Sequence, residues 1–203
     1  MALSPEFLAS LCHDEFAFID NFLPKKQYQA ICQMAQQLFD DKQFKPSGIG
    51  RTQRHHTNSA IRRDEIYWLD PSQPLFPAKI ILSALDNLMH QLNESIFLSL
   101  VEFEAHLAIY QPGSYYRKHS DQFQDNDTRQ ISCVYYLNHD WQEQDGGQLV
   151  LFDQDDHVKI RLMPQGNRLV CFKSHLMHEV EETKKQRASV TVWMKRRSQS
   201  LIA

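Results

Sequence analysis

The chain has 203 residues, enough to bury one substantial core and at the upper end of the usual single-domain size. Its 22 Lys and Arg against 25 Asp and Glu give a net charge of -3, so no overall positive field exists to gather nucleic acid or anionic lipid. No apolar run approaches the ~18 residues of a membrane span, and the four scattered cysteines, without a Cys-x-x-Cys pair, read as reduced thiols of a cytoplasmic protein. One domain over 1–203 is expected, with neither nucleic acid nor membrane as a partner.

Residues 16–22 read as a short strand, after which Leu23-Pro24 opens an amphipathic helix carrying Tyr28, Ile31, Cys32, Ala35, Leu38 and Phe39 at helical spacing. The polar stretch 48–59 has loop composition. Its adjacent His55 and His56 would face opposite ways on a strand, which makes them poor joint metal ligands. A second helix is predicted over 77–96, with Ile80, Ile81, Ala84, Leu85, Leu88, Met89 and Leu92 as its apolar stripe. From Leu100 onward the chain reads as short strands over 101–110, 115–119, 131–138, 148–152, 158–162, 168–172, 178–181 and 188–195. Turn residues such as Gln111-Pro112-Gly113 and Asp145-Gly146-Gly147 separate them. Each such strand buries only one face, so the expected fold is mainly β, a sandwich or barrel packed against the two helices. Residues 1–99 would be a helical support and substrate-loop region, and 100–197 the β core.

The chemistry concentrates late in the chain. His119 and Asp121 sit two residues apart at a predicted strand end, so on a strand both would share one face and could turn onto one ion. His178, at the start of a later strand, is the best third ligand. Two histidines and a carboxylate on one triangular face leave other positions open, the arrangement of non-haem Fe(II) oxygenases. Arg187 stands just before the apolar run 189–193. A guanidinium at the mouth of a buried strand needs an anionic partner. A dicarboxylate would supply one through paired hydrogen bonds, and so would Glu179, Glu181 or Glu182.

Read in order, Tyr110-Gln111-Pro112-Gly113, His119-Ser120-Asp121-Gln122-Phe123, Tyr135-Tyr136-Leu137-Asn138, Gly146-Gly147-Gln148-Leu149, and His178-Glu179-Val180 leading to Arg187 and Thr191-Val192-Trp193 resemble the prolyl 4-hydroxylase-like 2-oxoglutarate dioxygenases. The similarity is closest to bacterial relatives of the oxygen-sensing (HIF-type) prolyl hydroxylases. It implies a double-stranded β-helix (jelly-roll, cupin-like) core. It implies His119, Asp121 and His178 as iron ligands, Arg187 and Tyr136 on the distal carboxylate of 2-oxoglutarate, and Tyr110 and Thr191 beside that co-substrate. Tyr116, Arg63 and Trp193 would belong to the substrate pocket, and no side chain would act as acid or base. The implied requirements are Fe(II), 2-oxoglutarate, O₂ and ascorbate as reductant. The implied reaction hydroxylates an unactivated C–H bond, in a prolyl residue of a protein, with release of succinate and CO₂. Elongation factor Tu is the first target the resemblance suggests.

The segment Ile61 to Leu69 is similar to the strand and loop that folds over a peptide substrate in those relatives, with Arg63 where they carry glycine. Arg51, Arg54, Arg62 and Arg63 would favour acidic neighbours of the target residue, or form a solvated basic surface. Three other readings compete: a zinc hydrolase, which needs a further carboxylate as base, a non-catalytic 2-oxoglutarate-binding barrel, and the same oxygenase chemistry on a small molecule or free amino acid.

Overall fold

A computed structural model describes residues 2–48, 60–72, 75–122 and 127–198. His55, His56, Arg51, Arg54 and Phe123 lie outside these described residues. Among these residues three α-helices are present, not two: α1 (Pro5–His13), α2 (Lys25–Asp40) and α3 (Phe76–Ile96). The first escaped the periodicity argument because it is short, yet its start is written locally. Ser4 caps it by accepting from the Phe7 N–H, and Pro5 supplies the first-turn φ. α3 stops where Phe97 turns left-handed at φ 54. The Asn93 side chain there bonds both N and O of Leu100, at 2.8 Å each, and so aims the chain into the sheet.

Among the described residues eleven strands form two antiparallel sheets. The larger has the order β1-β9-β6-β11-β4-β3-β2, built from Phe16–Ile19, Leu169–Lys173, Arg129–Tyr136, Arg187–Arg196, Leu100–Tyr110, Asp64–Trp68 and Lys45–Pro46. The smaller, β5-β10-β7-β8, uses Tyr116–His119, His178–Val180, Leu149–Phe152 and Val158–Leu162. From β4 onward the chain passes back and forth between the sheets, which makes the core a double-stranded β-helix. Residues 1–99 are more than a helical support, because β1, β2 and β3 complete the larger sheet at its two edges.

Alternation along the central strands divides labour between the two faces of the larger sheet. Leu107, Ile109, Cys133, Tyr135, Val190, Val192 and Met194 meet Ile31, Ile81, Leu85, Leu88 and Leu92 of α2 and α3. Burying each of these aliphatic side chains contributes roughly 1.5–3 kcal/mol. The residues between them turn inward, between the sheets. Val134, Val170 and Phe172 pack there on Leu149 and Leu151, and the same inward face carries the chemistry.

Candidate functional site

β5 ends at His119 and the chain bends at once, so Asp121 leaves the strand instead of continuing along it. The N–H groups of Asp121 and Gln122 are both held by the Ser174 carbonyl, at 3.2 Å. β10 begins at His178, which lies opposite His119 in the sheet register, with ring centroids 4.2 Å apart. His119 Nε2 stands 3.8 Å from Asp121 Oδ1, and His178 Nε2 stands 3.5 Å from Asp121 Oδ2. One ligand atom from each of the three residues falls within 4.8 Å of the others. The pairing of β5 with β10 does what sequence spacing could not, joining ligands 57 residues apart, from 121 to 178.

Both imidazoles are locked in one orientation. Nδ1 of His119 is 2.8 Å from the Arg117 carbonyl, and Nδ1 of His178 is 2.9 Å from the Leu176 carbonyl. A carbonyl only accepts, so each Nδ1 carries the proton and each Nε2 offers a lone pair toward the carboxylate. Burial, then the neighbouring His178, pushes His119 down to about 3. Burial works to raise the Asp121 carboxyl, but His178, His119 and a hydrogen bond from Ser132 outweigh it and hold the group below the usual carboxylate range. Both Nε2 atoms therefore turn toward an ionised Asp121, the disposition in which two imidazoles and a carboxylate can take up a metal ion.

At the other end of the same cavity Arg187 opens β11 and is 1% exposed. Its Nε donates to the Gly147 carbonyl at 3.0 Å, and Nη1 makes only a long 3.5 Å contact with Ser189 Oγ. No acidic side chain among the described residues pairs with it, and Glu181, one alternative partner, pairs instead with Arg161 at 3.1 Å. The guanidinium faces the rings of Tyr110 and Tyr136 at 4.9 and 5.1 Å. The Tyr136 hydroxyl is buried and, among the described residues, has no acceptor for its proton. A buried cation lacking an anion and a buried hydroxyl lacking an acceptor together fit a carboxylate. The donor set at 119, 121 and 178 fits a divalent ion with open positions. Asp121 is the only acid in the cavity wall among the described residues, so a zinc hydrolase would lack its base.

The sequence agrees with this geometry. Residues 105–195 match the model of the 2OG-Fe(II) oxygenase superfamily. The crystal structure of a Pseudomonas putida prolyl-4-hydroxylase is 34% identical, covers 95% of this chain and 98% of its own, and superposes with a TM-score of 0.84. The chain belongs to this family of prolyl hydroxylase-like 2OG-Fe(II) oxygenases. A prolyl hydroxylase of Trichoplax adhaerens, solved with a hypoxia inducible factor peptide, is 27% identical, with coverage of 93% and 87% and a TM-score of 0.82. The hypoxia-inducible factor prolyl hydroxylase of Caenorhabditis elegans is 28% identical over 94% of this chain. The oxygenase spans only 28% of that relative's length.

Of the remaining expected residues, Thr191, Tyr110, Tyr116 and Trp193 line the oxygenase's cavity. Arg63 does not. It is exposed, with its guanidinium over Tyr115, and it is Arg62 that enters the wall. Nor is Arg62 part of a solvated basic surface. Its Nε and Nη2 bond Asp64 at 2.7 and 2.5 Å, and its side chain is only 9% exposed. Two further residues of the oxygenase escaped the sequence argument. His106 is fully enclosed between Trp68 and Trp193, with ring centroids 5.0 and 5.1 Å away. Ser132 donates to Asp121. His106 carried one signal, an inward position on β4 two residues from Ala108 and four from Tyr110.

Proposed function

We propose that the protein is an Fe(II)- and 2-oxoglutarate-dependent dioxygenase that hydroxylates a prolyl residue in a protein or peptide, releasing succinate and CO₂. The single observation that carries this reading is the buried Arg187, without an acidic partner among the described residues, in the same cavity as His119, Asp121 and His178. His119, Asp121 and His178 would hold iron, and Arg187, helped by the Tyr136 hydroxyl, would hold the far carboxylate of 2-oxoglutarate. Thr191 and Tyr110 would flank the co-substrate. When bound, the iron and 2-oxoglutarate supply the oxidising power that breaks the C–H bond. The chain's own task is to fix the diacid at Arg187, hold both imidazoles with Nε2 turned inward, and keep bulk water from a cavity walled by Phe172, Val134 and Leu149. No side chain needs to move a proton.

The prolyl substrate rests on what the two bacterial and animal neighbours are, and on Trp193 and Trp68, whose ring centroids lie 6.2 Å apart beside the metal ligands' cavity. Elongation factor Tu is the first protein target, ascorbate the reductant, and the cytoplasm the setting. Residues 1–203 are read as one working unit, supported by β1, β2 and β3 sharing a sheet with the later strands. Purified chain given Fe(II), ascorbate and 2-oxoglutarate should form succinate, and His119→Ala should not. Equal succinate from both would remove the enzymatic reading. Incubation with cell lysate should then yield peptides oxidised at proline, and oxidation confined to free metabolites would defeat the protein substrate.

A further inference from the structure

The carboxylate of Asp121 is held by two serines that the proposed reaction does not use. Ser132 Oγ donates to Asp121 Oδ2 at 2.6 Å, and Ser174 Oγ lies 2.9 Å from Ser132 Oγ. Ser132 is 1% exposed, Ser174 is 0% exposed and Asp121 is 8% exposed, so water does not compete for these bonds. The ionised carboxylate only accepts, so the Ser132 proton must point at it, which leaves Ser132 as acceptor and Ser174 as the donor behind it. Hydroxyls in series polarise one another, and in a low-dielectric interior the chain is worth more than its separate links.

Ser174 also grips the ligand segment through its main chain. Its carbonyl accepts from the N–H of Asp121, the N–H of Gln122 and the Ser120 hydroxyl, at 3.2, 3.2 and 3.1 Å. Its own N–H donates to the Gln130 carbonyl at 3.1 Å. Ser174 follows β9 and precedes the turn that delivers His178, while Ser132 lies on β6. One residue therefore ties the 119–121 ligands to the 178 ligand.

We infer that Ser132 and Ser174 form a two-hydroxyl positioning relay that orients the Asp121 carboxylate for metal binding. The inference rests on the metal-site reading above. Ser132 holds Oδ2, which also stands 3.5 Å from His178 Nε2, and so fixes the rotation that leaves Oδ1 toward His119. Outer partners of this kind typically change metal affinity by about 10–100-fold. Because Ser174 acts on the carboxylate only through Ser132, the two hydroxyls are coupled and their losses are not additive.

The test is binding of Mn(II) alone to the metal-stripped 203-residue chain, followed by calorimetry or electron paramagnetic resonance. Ser132→Ala should weaken binding about tenfold or more, Ser174→Ala by less, and the double variant no more than Ser132→Ala alone. Ser132→Thr, which keeps the hydroxyl, should restore affinity, a rescue that a packing role would not give. Ser132→Ala within about twofold of wild type, or a double variant showing the full product of both losses, overturns the relay. Should Ser132→Ala not fold, Ser174→Ala carries the test, since it leaves every main-chain bond in place, and unchanged Mn(II) affinity there is equally fatal. Wild-type chain that binds no Mn(II) would instead sink the metal-site reading itself.

Discussion

Tyr116 lies flat on His119, with ring centroids 3.5 Å apart and planes 17° from parallel. The Arg62 guanidinium also sits over the ring, 4.2 Å from its centroid. The imidazole is thus held by a face contact as well as by its Nδ1 bond. Aromatic pairs contribute about 0.5–1.5 kcal/mol beyond burial, so Tyr116→Ala should weaken divalent metal binding by about two- to tenfold, and Tyr116→Phe should leave it unchanged. Equal losses in the two variants would mean that the hydroxyl, not the stack, matters.

Arg187 makes the second prediction. Charge-assisted hydrogen bonds are worth roughly 1.5–3 kcal/mol each, and Lys cannot reproduce a fork. Arg187→Lys should raise the 2-oxoglutarate concentration needed for half-maximal succinate formation by about 10–100-fold, while Mn(II) affinity stays near wild type. An unaltered 2-oxoglutarate requirement would show that another cation receives the diacid.

Gly147 makes the same point from the backbone side. Its φ is +69, and a Cβ there would stand 3.1 Å from Arg187 Cδ and 3.1 Å from two atoms of Thr183. Gly147→Ala should cost about 1–3 kcal/mol of stability and raise the 2-oxoglutarate requirement as the guanidinium is pushed aside. Denaturant unfolding and co-substrate titration on one sample check both. Full stability with normal co-substrate use would refute it.

These relationships differ in how far sequence reasoning could reach them. The strands from residue 100 onward, α2 and α3 follow from periodicity, because burial of one face writes itself into alternation or 3.6-residue spacing. Arg187 was legible because a cation at the head of an apolar strand contradicts its surroundings. Arg62 was misplaced because its partner Asp64, two residues away, completes a buried pair only once β3 joins β4. Ser132 and Ser174 carry no motif at all. Their roles exist only because β6 and β9 are neighbours, with Ser132 opposite Phe172.

His106 should make the fold sensitive to acid. Burial first, then Arg62, pushes it down to about 4, against weaker opposing pulls from Asp64 and Asp121, with Arg129 adding to the depression. The unfolded chain takes up that proton near pH 6.5, the folded chain only near 4, so stability is full above about 6.5 and falls as pH drops through this window. The expected loss attributable to this group is about 3 kcal/mol. Urea unfolding of wild type and His106→Leu at pH 7 and 4.5 measures it. Parallel losses in the two proteins would exclude the imidazole as the cause.

Asp64 ties both stems of the 48–61 segment. It accepts from Arg62, from the Ser47 hydroxyl at 2.6 Å, and through its carbonyl from the Ser47 N–H at 3.0 Å. Burial tends to raise its carboxyl, but Arg62 and Ser47 hold it below the usual range. Removing the charge leaves Arg62 enclosed without a counterion, so Asp64→Asn should destabilise by about 3–5 kcal/mol. Arg62→Met combined with Asp64→Leu should recover much of that loss. A double variant as unstable as Asp64→Asn would show that the pair's hydrogen bonds, not the stranded charge, dominate.

The inward face of β11 presents Arg187, Ser189, Thr191 and Trp193 in succession, locked in register by β4 on one side and β6 on the other. Such a strand works as a gauge whose divisions are peptide units of roughly 3.3 Å. The backbone spacing from Arg187 to Thr191 is therefore fixed at four such units. If Arg187 and the 119, 121 and 178 side chains hold the two ends of one diacid, as proposed, an acid one methylene shorter or longer would fit less well, a mismatch far smaller than the roughly 6.6 Å between inward rungs.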